Sequence, residues 1–262
     1  MSRTPEEKAE AFRALHGGEP FVIPNPWDAG SARVLAALGF RALATTSSGF
    51  AFTLGRLDGG ATLDEVVAHV AALAATTDLP LSVDLEHGHG TDPGVAIGRV
   101  AEAGAAGASI EDWDGARLYG LEQAVERVAA AVVAARAVGF PFTLTARAEN
   151  HLRGNPDLDD TIARLQAFAA AGADVLYAPG LLTLEEIRAV CSAVAKPVNV
   201  LARRNLKFAE LAAAGAQRVS VGGSLTWAAV HALAEAATAI RDRGDFSLLG
   251  AGPPLADWLA RR

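Results

Sequence analysis

The stretch Leu81-Ser-Val-Asp84-Leu-Glu86-His-Gly88-His-Gly90 joins an apolar segment to two acids and then to glycine. The apolar part predicts a buried β-strand over Leu81–Asp84. Because side chains alternate along a strand, Asp84 and Glu86 would project to the same side at its C-terminal end. Two neighbouring carboxylates repel each other unless a cation lies between them, and hard divalent cations prefer oxygen ligands. An ordinary strand that ends in solvated acids is the alternative interpretation of this stretch alone.

The same unit, a short apolar strand followed by a helix, occurs eight times along the chain without a Pro/Gly/Ser-rich linker. Predicted strands cover residues 21–23, 41–45, 81–84, 107–110, 142–146, 174–177, 197–201 and 218–221. Predicted helices cover residues 5–16, 29–38, 63–76, 93–103, 121–138, 159–171, 184–194, 207–214, 224–243 and 255–260, and residues 46–60 are predicted to form a loop. Several helices end in an Ala-Gly-Ala run, which is typical of a C-cap that leads into the next strand.

Strict alternation of helices with almost purely apolar strands predicts a parallel sheet covered by helices. Eight units predict closure into an α/β fold of the (β/α)8 TIM type. An open doubly wound sheet is the main alternative. It would need a Gly-rich phosphate turn after the first strand, where Pro24-Asn-Pro26-Trp27 stands instead. We therefore expect one barrel domain over residues 1–262, with a helical extension from about residue 224.

The composition fits a large core and argues against some partners. The 262 residues are 51% hydrophobic, which is enough for one large α/β domain. A net charge of -7 and a pI of about 5.4 give no support to a nucleic-acid or anionic-membrane partner. The first residues lack the apolar core of a signal peptide, and no apolar run is long enough to span a bilayer. The single cysteine, Cys191, suits a reducing cytoplasm and has the helical spacing of a core residue.

Polar side chains follow the C-terminal ends of the predicted strands, where barrels of this type carry their chemistry. They are Asn25, Trp27, Thr46, Ser47, Ser48, Asp84, Glu86, Glu111, Asp112, Arg147, Glu149, Tyr177, Asn199 and Ser220, and Gly222 stands with Ser220 at the end of the eighth strand. Acids on the third and fourth strands, with an arginine on the fifth, predict a site for an octahedral divalent cation, for which Mg²⁺ is the usual case. Solvated loop acids are the alternative, although three separate strands end in this way.

Other common chemistries lack their residues. The only lysines are Lys8, Lys196 and Lys207, and none lies at the C-terminal end of a strand, so a Schiff-base aldolase is not expected. The sequence contains no legible Ser-His-Asp arrangement or phosphate-binding loop. His87 and His89 flank glycines, and we expect them to shape their loop rather than to bind a metal.

Seven short motifs together carry a family resemblance. They are Asn25-Pro26-Trp27-Asp28-Ala29, Thr45-Thr46-Ser47-Ser48-Gly49, Leu54-Gly55-Arg56-Leu57-Asp58, Asp84-Leu85-Glu86, Ile110-Glu111-Asp112, Ala146-Arg147-Ala148-Glu149 and Pro197-Val198-Asn199-Val200. Their order resembles that of the isocitrate lyase/phosphoenolpyruvate mutase superfamily, over about residues 20–230. The resemblance implies a barrel whose last helix is swapped with a neighbouring subunit, in a homo-oligomer that is a dimer or, more usually in the family, a tetramer.

The resemblance also implies a cation site. Members of this superfamily use Mg²⁺, with Mn²⁺ as a possible substitute. Carried over to this chain, Asp84 would bind the metal directly. Glu86, Asp58 and Glu111 would hold waters of its coordination shell.

The substrates implied by the resemblance are small 2-oxo or 2-hydroxy acids or enolpyruvates, which react through an enolate. Backbone N–H groups around Thr46, Ser47 and Ser48 would bind the substrate carboxylate or oxyanion. Arg147 would neutralise the enolate as it forms. Trp27 and Asn199 are the other expected substrate contacts.

The segment after the fourth predicted strand departs from the family pattern. Lyases of the family carry a catalytic cysteine there, in a Lys-Lys/Arg-Cys-Gly-His-like motif, and the mutases carry a Lys and an Asn. This chain has Glu111-Asp112-Trp113-Asp114-Gly115-Ala116-Arg117-Leu118-Tyr119, with neither cysteine nor lysine.

The departure favours one reaction class over two alternatives. Cleavage or decarboxylation of a small 2-oxo dicarboxylic acid needs mainly an electron sink, so we predict a Mg²⁺-dependent carbon–carbon lyase. Its catalytic residues would be Arg147, Glu111 and Tyr119, the last of which (or water) would protonate the enolate. The alternatives are a phosphonopyruvate-type P–C mutase or hydrolase and a non-catalytic 2-oxo-acid-binding protein.

Overall fold

Eight parallel strands surrounded by helices form a nearly closed barrel. The computed structural model of the chain describes residues 3–250, Gly252 and residues 255–260. The strands are β1 (Phe21–Ile23), β2 (Leu43–Ala44), β3 (Leu81–Asp84), β4 (Gly107–Glu111), β5 (Thr143–Arg147), β6 (Val175–Tyr177), β7 (Val198–Leu201) and β8 (Arg218–Ser220). The helices are α1 (Pro5–His16), α2 (Ala29–Ala37), α3 (Ser47–Thr53), α4 (Leu63–Thr76), α5 (Pro93–Glu102), α6 (Leu121–Ala137), α7 (Leu158–Ala170), α8 (Leu184–Ala193), α9 (Phe208–Ala213), α10 (Ser224–Arg243) and α11 (Leu255–Ala260). The strand order β1-β8-β7-β6-β5-β4-β3-β2, all parallel, confirms the predicted TIM-type barrel.

Asn25 links the two ends of the strand order. The strands β1 and β8 pair in parallel, and the Ala44 N–H of β2 donates to the Pro24 carbonyl at 3.0 Å. The Asn25 amide nitrogen donates to the Thr45 carbonyl at 2.9 Å. Its amide oxygen accepts the Val221 N–H, also at 2.9 Å. One buried side chain therefore holds β1, β2 and the end of β8 together at the C-terminal end of the barrel.

Helix α1 covers the opposite, N-terminal end of the barrel. Phe12 is fully buried there in a small apolar cluster with Phe21 and Ile23. Burial of a phenylalanine side chain is worth about 1.5–3 kcal/mol. Lys8 adds a polar anchor, because its ammonium group donates to the Thr77 carbonyl at 2.8 Å. These side chains fill only part of the N-terminal end, where a cavity of about 460 Å³ remains beside the starts of β5, β6 and β7.

The segment predicted as a loop after β2 begins with the short helix α3. Thr46 is its N-cap, and the Thr46 hydroxyl accepts the Gly49 N–H at 3.3 Å. The run of Thr, Ser and Gly was interpreted as a loop because these residues are poor helix formers in isolation. The same residues suit a helix start, and tertiary packing stabilises the turn. Strand β2 itself is also shorter than the predicted 41–45.

Strand β3 ends at Asp84 and does not continue to Glu86. Glu86 has a φ of +49°, in the left-handed region, so the chain turns before it. The strand alternation that was expected to place Asp84 and Glu86 on one side therefore does not apply. The predicted Ala-Gly-Ala helix ends are confirmed at Gly104 and Gly172, whose φ values of +100° and +104° suit glycine at a C-cap.

The C-terminal helices lie largely outside the barrel core. Helix α10 has 20 residues, but only Thr226 and Ala239 are buried. Helix α11 packs against α2. The expected ends of the domain, residues 1 and 262, fall outside the described residues, so the domain boundaries remain a prediction. No helix in the described ranges is long and apolar enough to cross a membrane.

Candidate active site

A cavity of about 250 Å³ opens at the C-terminal end of the barrel. Its polar lining comes from all eight strands or the loops after them: Asn25, Thr45, Thr46, Ser47, Ser48, Asp58, Ser82, Asp84, Ser109, Arg147, Tyr177, Asn199, Arg218 and Ser220. Most of the candidate residues predicted at strand ends are therefore brought together. Trp27, Glu86, Glu111 and Tyr119 are not among the lining side chains.

Arg147 is bonded to carboxylates from three parts of the chain. Its guanidinium lies 2.8 Å from Asp84 Oδ1, 2.9 Å from Glu111 Oε1 and 2.9 Å from Glu149 Oε1. Burial alone would lower the pKa of Arg147, but the three carboxylates together raise that pKa. The guanidinium is therefore a permanent charge at a fixed position beside the cavity.

Glu111 contacts two arginines and does not line the cavity. It is 6% exposed, and its second oxygen lies 3.6 Å from Arg153. Burial raises the pKa of Glu111, although Arg147 opposes the rise. Glu149 is fully buried and also contacts Arg153, at 3.4 Å. Two guanidinium groups therefore face the three carboxyl groups of this cluster.

A second layer of side chains holds this cluster. Asp112 accepts the Glu149 N–H at 2.8 Å through one oxygen and pairs with Arg164 at 3.0 Å through the other. Burial raises the pKa of Asp112 to about 6. The sequence analysis missed Arg164 because it lies on helix α7, where an arginine usually faces solvent. Its spacing of four residues from Asp160, with which it also pairs, was the available signal.

Asp84 also lies near two further acids, Glu86 and Asp58. Asp84 accepts weak hydrogen bonds from the Ser47 N–H and the Ser109 hydroxyl, each at 3.4 Å. Burial raises the pKa of Glu86 to about 8, and the nearby charges of Asp84 and Asp58 add to the rise. His89 donates from Nδ1 to the Ala61 carbonyl, 3.1 Å away, in keeping with its predicted loop-shaping role.

These three acids fit a hydrated divalent cation. Within the described residues, no three acidic, histidine or cysteine side chains converge into a preformed metal cage. Mg²⁺ commonly binds one or two carboxylates directly and keeps several waters, so it needs no such cage. The repulsion that raises the Glu86 pKa is the kind of repulsion that a cation offsets. Asp84 and Asp58 line the cavity and Glu86 lies beside Asp84, so the donor set fits Mg²⁺.

The segment after β4 folds back on itself. Trp113 and Leu118 form an isolated antiparallel bridge, and Asp114 caps the turn between them by accepting the Ala116 and Arg117 N–H groups at 2.8 and 2.7 Å. Tyr119 lies beyond this turn, with the Arg127 guanidinium 4.8 Å from its ring centre. The structure therefore places the predicted proton donor Tyr119 outside the cavity, against the half-buried Arg127.

Trp27 is likewise placed away from the cavity. The backbone N–H of Trp27 donates to the Ser31 hydroxyl at 3.1 Å, next to the start of α2. The Trp27 side chain packs against the backbone of α3 at Gly49. If Gly49 had a Cβ, that atom would lie 3.1 Å from the Cβ of Trp27. Trp27 thus packs behind α3, while Asn25 from the same motif lines the cavity instead.

Sequence comparison places the chain in an enzyme family. The profile described as phosphoenolpyruvate phosphomutase matches residues 12–241. The chain belongs to the isocitrate lyase/phosphoenolpyruvate mutase superfamily. The superfamily consists of carbon–carbon lyases and mutases, and the enzymes named among this chain's relatives are of these kinds. The resemblance found in the sequence motifs is therefore confirmed.

Individual members of the superfamily are similar over most of the chain. A protein of Mycobacterium tuberculosis strain H37Rv is 34% identical over 228 residues, covering 87% of each chain. An oxaloacetate decarboxylase of Rhodopseudomonas palustris strain BisB5 is 30% identical and covers 88% of this chain and 84% of its own length. The crystal structure of a proposed lyase or mutase from Burkholderia cenocepacia J2315 is 52% identical. It has a TM-score of 0.94 and covers 98% of this chain and 96% of its own.

Proposed function

We propose that this superfamily member is a Mg²⁺-dependent carbon–carbon lyase that cleaves or decarboxylates a small 2-oxo or 2-hydroxy dicarboxylic acid. The observation that carries the proposal is the fixed Arg147 beside the carboxyl groups at the cavity. Its Nε–H donates to Glu149 and an Nη1–H donates to Asp84, while Nη2 lies 2.9 Å from both Glu111 and Glu149. The guanidinium is therefore held in place at the edge of the cavity that it lines.

The residues of this chain would divide the work as follows. Asp84 would hold Mg²⁺ directly and Glu86 and Asp58 would hold it through water, and the ion would withdraw electrons from the keto group of the substrate. Arg147 would face the negative charge that develops on the enolate. The N–H groups at the start of α3, beside Ser47 and Ser48, would orient the substrate carboxylate. One preorganised donor of this kind is typically worth about 3 kcal/mol in the transition state.

The size of the cavity and the segment after β4 support this class over the alternatives. A volume of about 250 Å³ suits a small acid, because sites for drug-sized ligands usually exceed about 300 Å³. The turn after β4 carries no cysteine or lysine to act as an acid on larger isocitrate-like substrates. Similarity to an oxaloacetate decarboxylase supports a reaction that needs an electron sink.

The proposal is tested by following pyruvate or CO₂ release from a panel of 2-oxo and 2-hydroxy dicarboxylic acids, with Mg²⁺, Mn²⁺ or EDTA. We expect turnover with the metals and none with EDTA. The variant Asp84→Asn should lose at least about 100-fold in rate, because it weakens the metal site and a contact of Arg147. The control Asp64→Asn changes an exposed aspartate whose one salt bridge within the described residues is with Arg99, at 2.7 Å, and should keep full activity.

Other outcomes of the panel select other functions. Turnover of phosphonopyruvate, followed by ³¹P NMR, with none of the carboxylic acids would identify a P–C bond enzyme. A metal-dependent rise in the melting temperature without any turnover would identify a binding protein. Turnover that EDTA leaves unchanged would refute the metal-dependent proposal.

We further propose that the protein is a cytoplasmic homo-oligomer, a dimer or tetramer, in which α10 is swapped between subunits. The exposed apolar side chains of α10, such as Trp227 and Leu233, support such a contact. The free and half-buried Cys191 supports a reducing compartment. Burial raises its pKa to about 11, and it packs against the core as predicted.

A further inference from the structure

The cavity of about 460 Å³ at the N-terminal end of the barrel lies at the opposite end from the candidate active site. Its walls come from α1, the last turn of α6 and the segments that lead into β5, β6 and β7. Cavities that bind small molecules commonly have volumes of about 300–1,000 Å³. This cavity is therefore large enough for a ligand, and the candidate active site does not use it.

The charged side chains of this cavity include two cations without a partner. Arg136 is already paired with Asp174, at 2.6 Å, and Asp174 is the one acid among the described residues that line the cavity. Arg13 and Lys196 are exposed, and the side chain of neither forms a salt bridge or a hydrogen bond with another described residue. In a chain with a net charge of -7, this local excess of positive charge favours an anionic ligand.

A buried guanidinium adds to the positive potential from inside the barrel. Arg218 is 4% exposed and lies behind His16, which lines the cavity. An Nη1–H of Arg218 donates to His16 Nε2 at 3.2 Å, so the ring proton is on Nδ1, which donates to the Phe12 carbonyl at 2.9 Å. Burial and the Arg218 charge lower the pKa of His16 to about 3. His16 is therefore neutral, and within the described residues no carboxylate forms a salt bridge with Arg218.

The inner wall of the cavity is apolar except for one hydroxyl. Thr143 and Val175 lie two residues before Thr145 and Tyr177 on their strands, so all four side chains face the barrel interior. Val175 is fully buried, and Thr143 is 4% exposed. The Thr143 hydroxyl forms no hydrogen bond with another described residue. Since buried hydroxyl groups are usually hydrogen-bonded, this one is suited to bind a polar atom of a ligand.

We propose that this cavity binds the phosphate monoester of a small organic molecule. The phosphate would face Arg13 and Lys196, and the organic part would lie against Val175 and Pro197. A phosphate monoester carries a charge of about -1.5 to -2 at neutral pH, which matches the two unpaired cations, whereas a carboxylate would neutralise only one. The inference does not depend on the proposed function, because the Mg²⁺ site of that proposal lies at the other end of the barrel.

The test measures the binding of phenyl phosphate to the full chain by calorimetry, with inorganic phosphate and benzoate as comparisons. Phenyl phosphate should bind at least about 10-fold more tightly than either, because inorganic phosphate lacks the apolar part and benzoate lacks the second charge. All titrations contain EDTA, so that no metal ion recruits a phosphate to the C-terminal cavity. Absence of binding, or equal affinity for phenyl phosphate and inorganic phosphate, would overturn the inference.

Two double variants with the same change in net charge locate the site. Arg13→Gln combined with Lys196→Gln should weaken phenyl phosphate binding about 10- to 100-fold, the usual effect of losing hydrogen bonds to a charged group. Arg188→Gln combined with Lys207→Gln changes one exposed arginine and one exposed lysine outside the cavity and should leave the affinity unchanged. Equal losses in both would indicate a general charge effect. Unchanged binding in the first would place the ligand elsewhere. Either result refutes the inference.

Thr143→Val tests whether the ligand enters the cavity or stays at its exposed cations. Valine keeps the shape of the side chain and removes the hydroxyl, so the affinity for phenyl phosphate should fall about 3- to 10-fold. An unchanged affinity would mean that the ligand lies on the surface, which contradicts the inference. Melting temperatures measured in parallel show that each variant is folded. Since the proposed lyase activity should be absent in EDTA, success or failure here is independent of any turnover.

Discussion

Arg147 holds together three carboxylates that have few other ways to be neutralised. Glu111 and Glu149 are almost completely buried, so removal of the guanidinium leaves the partly exposed Arg153 as the one cation that forms an ion pair with them within the described residues. We expect Arg147→Met to lower the free energy of unfolding by about 3–5 kcal/mol, the usual cost of breaking a buried ion pair. Urea denaturation followed by circular dichroism measures the change.

The matched control for Arg147 is Arg136, which pairs with Asp174 at 2.6 Å but is half exposed. An exposed pair is worth only about 0–1 kcal/mol, whatever its distance, because water and salt screen it. Arg136→Met should therefore change stability by no more than that. Equal decreases in the free energy of unfolding for the two variants would show that burial does not determine how much these ion pairs contribute to stability.

Glu86 makes the metal-free protein sensitive to pH. Its pKa is about 8 in the native state, against an ordinary value of 4.5. Between these values the native state holds a proton that the unfolded state has lost, so the stability falls as pH rises, by up to about 1.4 kcal/mol per pH unit. The contribution is fully present below pH 4.5 and is lost above about pH 8.

The measurement is a series of urea unfolding curves in EDTA between pH 5 and pH 8.5, for the wild type and for Glu86→Gln. The glutamine cannot ionise, so its stability should fall less steeply across this range. Added Mg²⁺ should stabilise the wild type most at the alkaline end, where the carboxylates are charged. Parallel pH profiles for the two proteins would contradict a buried, repelled carboxyl at this position.

At the level of elements, α3 is held in place by the contacts of one glycine. A Cβ on Gly49 would lie 2.6 Å from both Thr226 Oγ1 and Thr46 Cγ2. Gly98, in helix α5, has no atom within 4 Å of the same position. Gly49→Ala should destabilise the protein by about 1–3 kcal/mol through overpacking. Gly98→Ala should stabilise it by about 0.5–1 kcal/mol, because alanine is the better helix former.

Thermal unfolding distinguishes these two alanine variants by the sign of the change. Since Gly49 lies at the start of α3, beside Ser48 at the cavity, Gly49→Ala should also lower substrate affinity. A melting temperature that rises in both variants would mean that helix propensity outweighs packing at Gly49 and that α3 can shift at little cost.

The elements that the sequence predicted best are those whose signals are local. Most strands are short apolar runs that follow a glycine and end at a polar residue, whereas β3 and β7 follow Pro80 and Pro197 instead. The strands and the polar residues at their ends could therefore be predicted from the sequence. Helix α3 could not be predicted, because its Thr-Ser-Ser-Gly start is typical of a turn. The contacts that support it, with Trp27 and Thr226, come from other parts of the chain. The position of Glu86 was also missed, since a positive φ in a non-glycine residue has no reliable local signal.

For the whole molecule, the barrel and the gathering of polar strand ends followed from the eight-fold repeat. The sequence did not predict which of those residues pair with one another and which face the cavity. Glu111 was expected beside a metal, but it lies against Arg147 and Arg153, and Arg218 was not singled out at all. Such pairings depend on which side chains meet across the barrel, over sequence separations such as the 73 residues between Arg218 and Thr145. Arg218 lies two residues before Ser220 on β8, so the two side chains face the same side of the strand. This spacing was the available signal in the sequence.

The exposed apolar face of α10 argues that the described chain is one part of a larger assembly. Leu233 is 67% exposed, and Trp227 near the start of the same helix is 45% exposed. Light scattering after size exclusion should therefore give two or four times the 27.0 kDa chain mass. Leu233→Asp should shift the protein to smaller species, because it places a charge in the apolar contact. Val133→Asp, at a similarly exposed position on α6, should not change the mass.

Since α10 directly follows Gly223, which lies against Ser48 at the cavity, dissociation should also reduce activity. A wild type that elutes as a monomer, or a Leu233→Asp variant of unchanged mass, would contradict the swap.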